Sequence, residues 1–123
     1  PDSGGAGSSS LVSDPISVGA GTFTITLAHR YQFEGGTAGD PTFWDGGQIE
    51  ISTDGGTNWT SIGGAAYDGN VNGASGNPME GQPAFVGTST GYPATMVDTL
   101  NLGTTYASQT VRLRFAFFVL PSW

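Results

Sequence analysis

From Thr22 to Phe33 the chain alternates between apolar and polar positions. Phe23, Ile25, Leu27, His29, Tyr31 and Phe33 fall on one face, and Thr24, Thr26, Ala28, Arg30 and Gln32 on the other. Period two predicts a strand with one buried and one wetter face, as in an antiparallel sheet. The same alternation predicts strands over Gln48–Ser52 and Thr110–Val119. In the last, Val111, Leu113, Phe115, Phe117 and Val119 share a face. Asp54-Gly55-Gly56 is a hairpin signal, because glycine takes the positive φ of a tight turn. Trp59–Ile62 is then the return strand. Shorter strands are expected at Ala84–Val86 and Val97–Leu102. Residues Gly63–Pro83 are dense in Gly, Asn and Pro and read as a long excursion, of the kind that tends to carry function.

No segment shows a helical period. Several short strands in one chain predict an all-β fold, a two-sheet antiparallel β-sandwich or jelly roll. Pro1–Ser10 (PDSGGAGSSS) has no large apolar side chain and reads as a flexible leader or linker. The sandwich domain is expected over residues 11–123.

Composition narrows the function classes. The chain has 123 residues, three arginines, no lysine and ten acids, for a net charge of −7. Three cations cannot make a basic patch, which argues against nucleic-acid binding. There is no cysteine, so thiol chemistry, zinc-thiolate sites and disulfides are excluded. A single histidine rules out a multi-histidine metal site. No run is long and apolar enough to predict a membrane span. Acidic, lysine-poor, turn-rich β domains point to a secreted or cell-surface setting.

Few residues carry candidate chemistry. Gly87-Thr88-Ser89-Thr90-Gly91 matches the G-x-S-x-G pattern, but that motif needs a following helix and a later histidine. Here His29 precedes the serine, so the match reads as a glycine-rich turn. His29 itself lies in an apolar stripe and is expected to be a core histidine satisfied by its neighbours. The best chemical candidate is calcium, which takes carboxylate and carbonyl oxygens. Glu34 ends the first long strand, and Asp40 and Asp45 bracket the loop after it. Asp45-Gly46-Gly47 lets carbonyls approach closely, although the same triplet also suits a plain Asx turn. Trp44, beside Asp45, is the aromatic most suited to stacking on a sugar ring. The other aromatics are expected in the core.

A set of ordered motifs runs along most of the chain. Leu11-Val12-Ser13-x-Pro15-Ile16 is followed by His29-Arg30-Tyr31-x-Phe33-Glu34. Then come Asp45-Gly46-Gly47-x-Ile49-Glu50-Ile51-Ser52-x-Asp54-Gly55-Gly56-x-x-Trp59, Asn77-Pro78-x-x-Gly81-x-x-Ala84-Phe85-Val86-Gly87 and Val111-Arg112-Leu113-Arg114-Phe115. The set resembles the MAM-like β-sandwich domain of immune inhibitor A-type secreted bacterial metallopeptidases and related extracellular proteins. The resemblance implies a jelly roll, an extracellular setting and a non-catalytic accessory role. It also implies calcium near Glu34 and Asp45. The peptidase's zinc motif is absent, so protease activity does not carry over. The family has a closing strand after the Arg-x-Arg-Phe segment, where this chain has a very apolar end. An open edge at Phe117, Phe118 and Val119 is therefore expected, filled by a partner strand through β-augmentation or by self-association.

The leading expectation is a non-enzymatic, calcium-stabilised extracellular module for adhesion, targeting or interdomain support, working with other domains or chains. The alternatives are a structural subunit of an extracellular filament or surface assembly, completed by strand exchange, and a carbohydrate-binding module.

Overall fold

The computed structural model describes residues 7–33, 43–72 and 79–119, with backbone alone at Gly7, Ser8, Phe118 and Val119. Among the described residues, nine strands and one short 3-10 turn make up the regular structure. They are β1 (Gly7–Val12), β2 (Ile16–Ser17), β3 (Thr24–His29), β4 (Gly46–Ser52), β5 (Thr60–Ser61), β6 (Gly69–Asn70), β7 (Pro83–Ala84), β8 (Met96–Asn101) and β9 (Thr110–Val119), with the turn at Gly64–Ala66. The fold is an antiparallel β-sandwich. Its larger sheet runs β1-β9-β4-β5, and β2 continues the β1 side of β9. The facing sheet is the β3–β8 pair, and β6–β7 is a small separate ladder.

The strand at the centre of the larger sheet is β9. Phe117 pairs with Ser9 on one side and Gly47 on the other; Phe118 pairs with Ser8 and Gly46; Val119 pairs with Gly7. The expected open edge is therefore not at Phe117, Phe118 and Val119. The backbone of Phe117–Val119 is paired in the ladder because β1, drawn from the expected leader, lies beside it. Gly7–Ser10, part of the expected leader, is strand. A leader of Ser and Gly can still form a strand, because its backbone groups pair with β9 whatever its side chains.

Alternation sets the two layers. Ile49 of β4 and Phe115 of β9 pack with Ile25 and Leu27 of β3 and Leu100 of β8, while Ile51, Val111 and Leu113 pack with Phe23 and Leu102. The long excursion folds over the opposite face of β4 and builds a second small core from Val71, Met79, Ala84 and Val86, with Phe43 against it. Gly46 and Gly47 are strand residues rather than a turn, and both are buried. A Cβ on Gly46 would lie 3.0 Å from Val71 and 3.1 Å from the Phe85 carbonyl oxygen. On Gly47 it would lie 3.2 Å from the Phe117 ring and 3.3 Å from the Phe33 ring. Each layer thus needs a glycine where it crosses β4. The second triplet is the predicted hairpin, with Gly55 at φ +74° and Gly56 at φ +100°.

Candidate functional site

Two strand edges decide where a partner can reach the sandwich. The outer edge of β4 is fully used. Gly47 exchanges backbone bonds with Phe85, Ile49 accepts from the Ile62 amide, and Ile51 pairs with Thr60 of β5. The Ile49 amide donates to Tyr67 Oη at 3.1 Å, so a side-chain hydroxyl fills the one gap in the ladder. Burial raises the pKa of the Tyr67 hydroxyl, which keeps it a neutral donor and acceptor. Residues 85–89 then cross to the other sheet. The Phe33 amide donates to Gly87, and the Ser89 amide donates to Tyr31.

The opposite side is open among the described residues. In an antiparallel ladder alternate residues aim both backbone groups at the same neighbour. Phe23 bonds residues 102 and 103, and Tyr31 and Phe33 bond residues 87 and 89. Odd-numbered residues of this run therefore face β8 and its extension. Thr24, Thr26, Ala28, Arg30 and Gln32 face away, and their backbone groups meet no described residue. Ser13 bonds Leu113, so the odd residues of β1 face β9 and Ser8, Ser10 and Val12 face outward.

Between these two free edges lies an apolar slot. Leu11 sits directly across from Phe115 and shares its core-facing side, yet it is 72% exposed. Nothing in the β3–β8 sheet reaches over it. Two adjoining hollows form the slot and share Leu11 and Phe115. One, of about 330 Å³, is lined by Val12, Ile25, Leu27 and Leu113. The other, of about 120 Å³, is lined by His29, Tyr31, Phe33 and Phe117. Neither has an Asp or Glu among its lining residues, and Arg30 stands at its rim. Phe117, expected at an open edge, contributes its ring here instead, stacked on Phe115 at 5.9 Å.

The polar groups around the slot are bonded into the scaffold. His29 Nε2 lies 2.7 Å from Asp98 Oδ2, both side chains largely buried. The ring meets Phe85 edge-on at 4.9 Å. This is the satisfied core histidine expected from its place in the stripe. Asp98 was not foreseen, but it sits between Met96 and Leu100 on the inward positions of β8. An acid at an apolar-periodic position was the signal available. Ser89 is 2% exposed and its Oγ accepts the Tyr31 amide at 3.1 Å. It is a turn residue between Gly87 and Gly91, both at positive φ, and no helix follows it. Tyr31 Oη donates to Asp68 Oδ2 at 2.6 Å, and the Val86 amide donates to Asp68 Oδ1 at 2.8 Å. Burial, then the Asp68 carboxylate, pushes the Tyr31 hydroxyl well above its ordinary range.

Of the other expected site residues, Asp45 and Trp44 do not line the slot. Asp45 is buried, 6% exposed, where the chain enters β4. Glu34 and Asp40 lie outside the described residues. Among the described residues no three His, Asp or Glu side chains gather closely enough to hold a metal ion. Trp44 is half-buried and engaged with neighbours, not presented as an open platform. Trp59 lies under the Arg114 guanidinium at 4.4 Å, and Arg114 pairs with Glu50 at 2.8 Å. No described helix is long and apolar enough to cross a membrane. No family model, curated protein or solved structure matches the chain.

Proposed function

We propose that the chain is a non-catalytic, calcium-stabilised extracellular accessory module that works by contact, in adhesion, targeting or interdomain support. One observation supports this best. The groups that could act on a substrate, His29, Asp98, Ser89, Tyr31 and Asp68, are bonded to one another or to backbone, while the accessible feature beside them is an apolar slot. A slot whose His29 and Tyr31 are held by Asp98 and Asp68 suits binding rather than turnover. The MAM-like resemblance points the same way.

Calcium belongs to this reading through Asp45, a buried carboxylate that follows Glu34 and Asp40 in the sequence. Calcium takes carboxylate and backbone carbonyl oxygens, the donors that Asp and Gly residues of this part of the sequence offer. Thermal unfolding with calcium and with chelator tests it. At a hundredfold excess over the dissociation constant, binding stabilises by about 2.7 kcal/mol, or roughly 10 °C for a domain of this size. That shift should vanish in Asp45→Asn. Equal melting with calcium and with chelator would remove calcium from the account.

The open β1 and β3 edges favour a second reading, a structural subunit completed by a strand from another chain. The carbohydrate-binding alternative has less support, because Trp44 is half-buried and engaged.

A further inference from the structure

We propose that the slot between β1 and β3 receives one extended strand of a second polypeptide, apolar at alternate positions and acidic at its ends. The proposal rests on the reading of the chain as a contact module and names the chemistry of its partner.

The backbone specifies a strand. Thr24, Thr26, Ala28, Arg30 and Gln32 present amide and carbonyl groups at two-residue spacing along one straight edge, beside an empty position in the smaller sheet. A strand seated there pairs with β3, and every second side chain drops onto Leu11, Leu27, Leu113 and Phe115. A helix satisfies its own backbone and could not use this edge. The Leu11 side chain, core-facing yet 72% exposed, marks the missing layer.

The undescribed stretches of this sequence lack the composition or the length for such a strand. Residues 1–6, 34–42 and 73–78 contain no Val, Ile, Leu, Met, Phe, Tyr or Trp. Residues 120–123 span roughly 13 Å when extended, against roughly 27 Å from Thr24 to Gln32. A second copy fits poorly. Because β9 lies beneath β3, β1 lies beneath the empty position, and joining β3 to the β3 of a copy would drive each β1 into the other's larger sheet. Two chains of charge −7 also repel. Within so acidic a molecule no described carboxylate lines the slot, while Arg30 stands at one hollow and Arg114 at the other, which matches acidic ends on the incoming strand. The edge also lacks the inward charges, prolines and bulges that protect exposed strands from pairing.

The test titrates the full chain with a synthetic peptide of about eleven residues. It alternates Val or Leu with Thr and carries Asp at each end; a peptide of the same composition with its apolar residues in one block is the control. Amide exchange and calorimetry are read together. Saturable binding of the alternating peptide, with at least tenfold slower exchange at Thr24, Thr26 and Ala28, is expected. Leu11→Asp changes an exposed side chain, so it should fold normally and lose at least tenfold in affinity. Four results would overturn the proposal: equal binding of both peptides, protection elsewhere, unchanged affinity in Leu11→Asp, or protection of the same amides without peptide. The last, if it rises with protein concentration, assigns the slot to a second copy; if it does not, to the chain itself. The calcium melting experiment is independent of these results. A calcium shift without peptide binding would leave the module reading standing and remove the slot's occupant.

Discussion

The outer edge of β4 and the facing edges of β1 and β3 begin as the same problem. Each is a strand with unpaired backbone groups beside an apolar face. At β4 the problem is solved three times over, by Phe85, by β5 and by the Tyr67 hydroxyl. Residues 85–89 then stitch β4 to the end of β3, and Phe85 is 2% exposed among His29, Tyr31 and Tyr67. On the other side no described segment does this. Leu11 stays exposed where Ile49, also core-facing on the larger sheet, is 2% exposed. The stretch that runs through β5, Tyr67 and residues 85–89 makes the difference. It closes one side of the sandwich, and the surface left open is the one with apolar side chains and no acid.

The comparison can be broken most forcefully at Phe85. Phe85→Ala removes the ring on which three aromatic contacts converge and should cost about 3–5 kcal/mol, read from denaturant unfolding. A cost under 1 kcal/mol would mean the stitched side is not the stable one. Next comes the matched pair on the larger sheet. Ile49→Ala should cost about 2–5 kcal/mol, while Leu11→Ala should stay within about 0.5 kcal/mol. Equal costs would show that Leu11 is covered in solution. A smaller effect is expected from Tyr67→Phe, which strips the β4 edge of its hydroxyl partner. A buried amide left unpaired costs about 1–3 kcal/mol, and the Ile49 amide should exchange faster.

The smallest effect concerns the hairpin that carries β4 into β5. Asp54 accepts the Asn58 backbone amide, the Ser52 hydroxyl and the Asn58 side-chain amide, in that order of influence, which lowers its pKa from 3.8 to about 2. A depressed carboxylate contributes stability that is present above pH 3.8 and lost as pH falls through about 2. The melting temperature of Asp54→Asn should therefore fall less steeply than that of the parent chain across this window. Parallel curves would show that the carboxylate does not hold the turn.

Periodicity made much of this fold legible. The stripe from Phe23 to Phe33 and the alternation of Thr110–Val119 are each visible without a structure, because a half-buried strand needs side chains of two kinds. The Gly55-Gly56 turn was legible for a similar local reason. What stayed hidden depends on pairing. Gly7–Ser10 has no side chain that announces a strand, yet it covers β9 through backbone bonds alone. The apolar end of the chain looked like an edge for want of that partner. Gly46 and Gly47 looked like a turn because glycine marks both turns and close packing, and sequence does not say which side chains approach. His29 was readable as a satisfied core residue, but its partner Asp98 lies 69 residues away and depends on the β3–β8 register. Of the expected site residues, Asp45, Trp44 and Phe117 fall in separate surroundings. The slot is assembled from Leu11, Leu27 and Phe115, which sequence alone gives no reason to group.

Amide hydrogen exchange along β3 tests the central claim, that this strand has one paired and one open edge. The account predicts an alternating pattern. Ile25, Leu27, His29 and Tyr31, bonded towards β8 and its extension, should exchange slowly, and Thr24, Thr26, Ala28, Arg30 and Gln32 at least tenfold faster. Uniformly slow exchange along the strand would contradict it, because the edge would then already be paired.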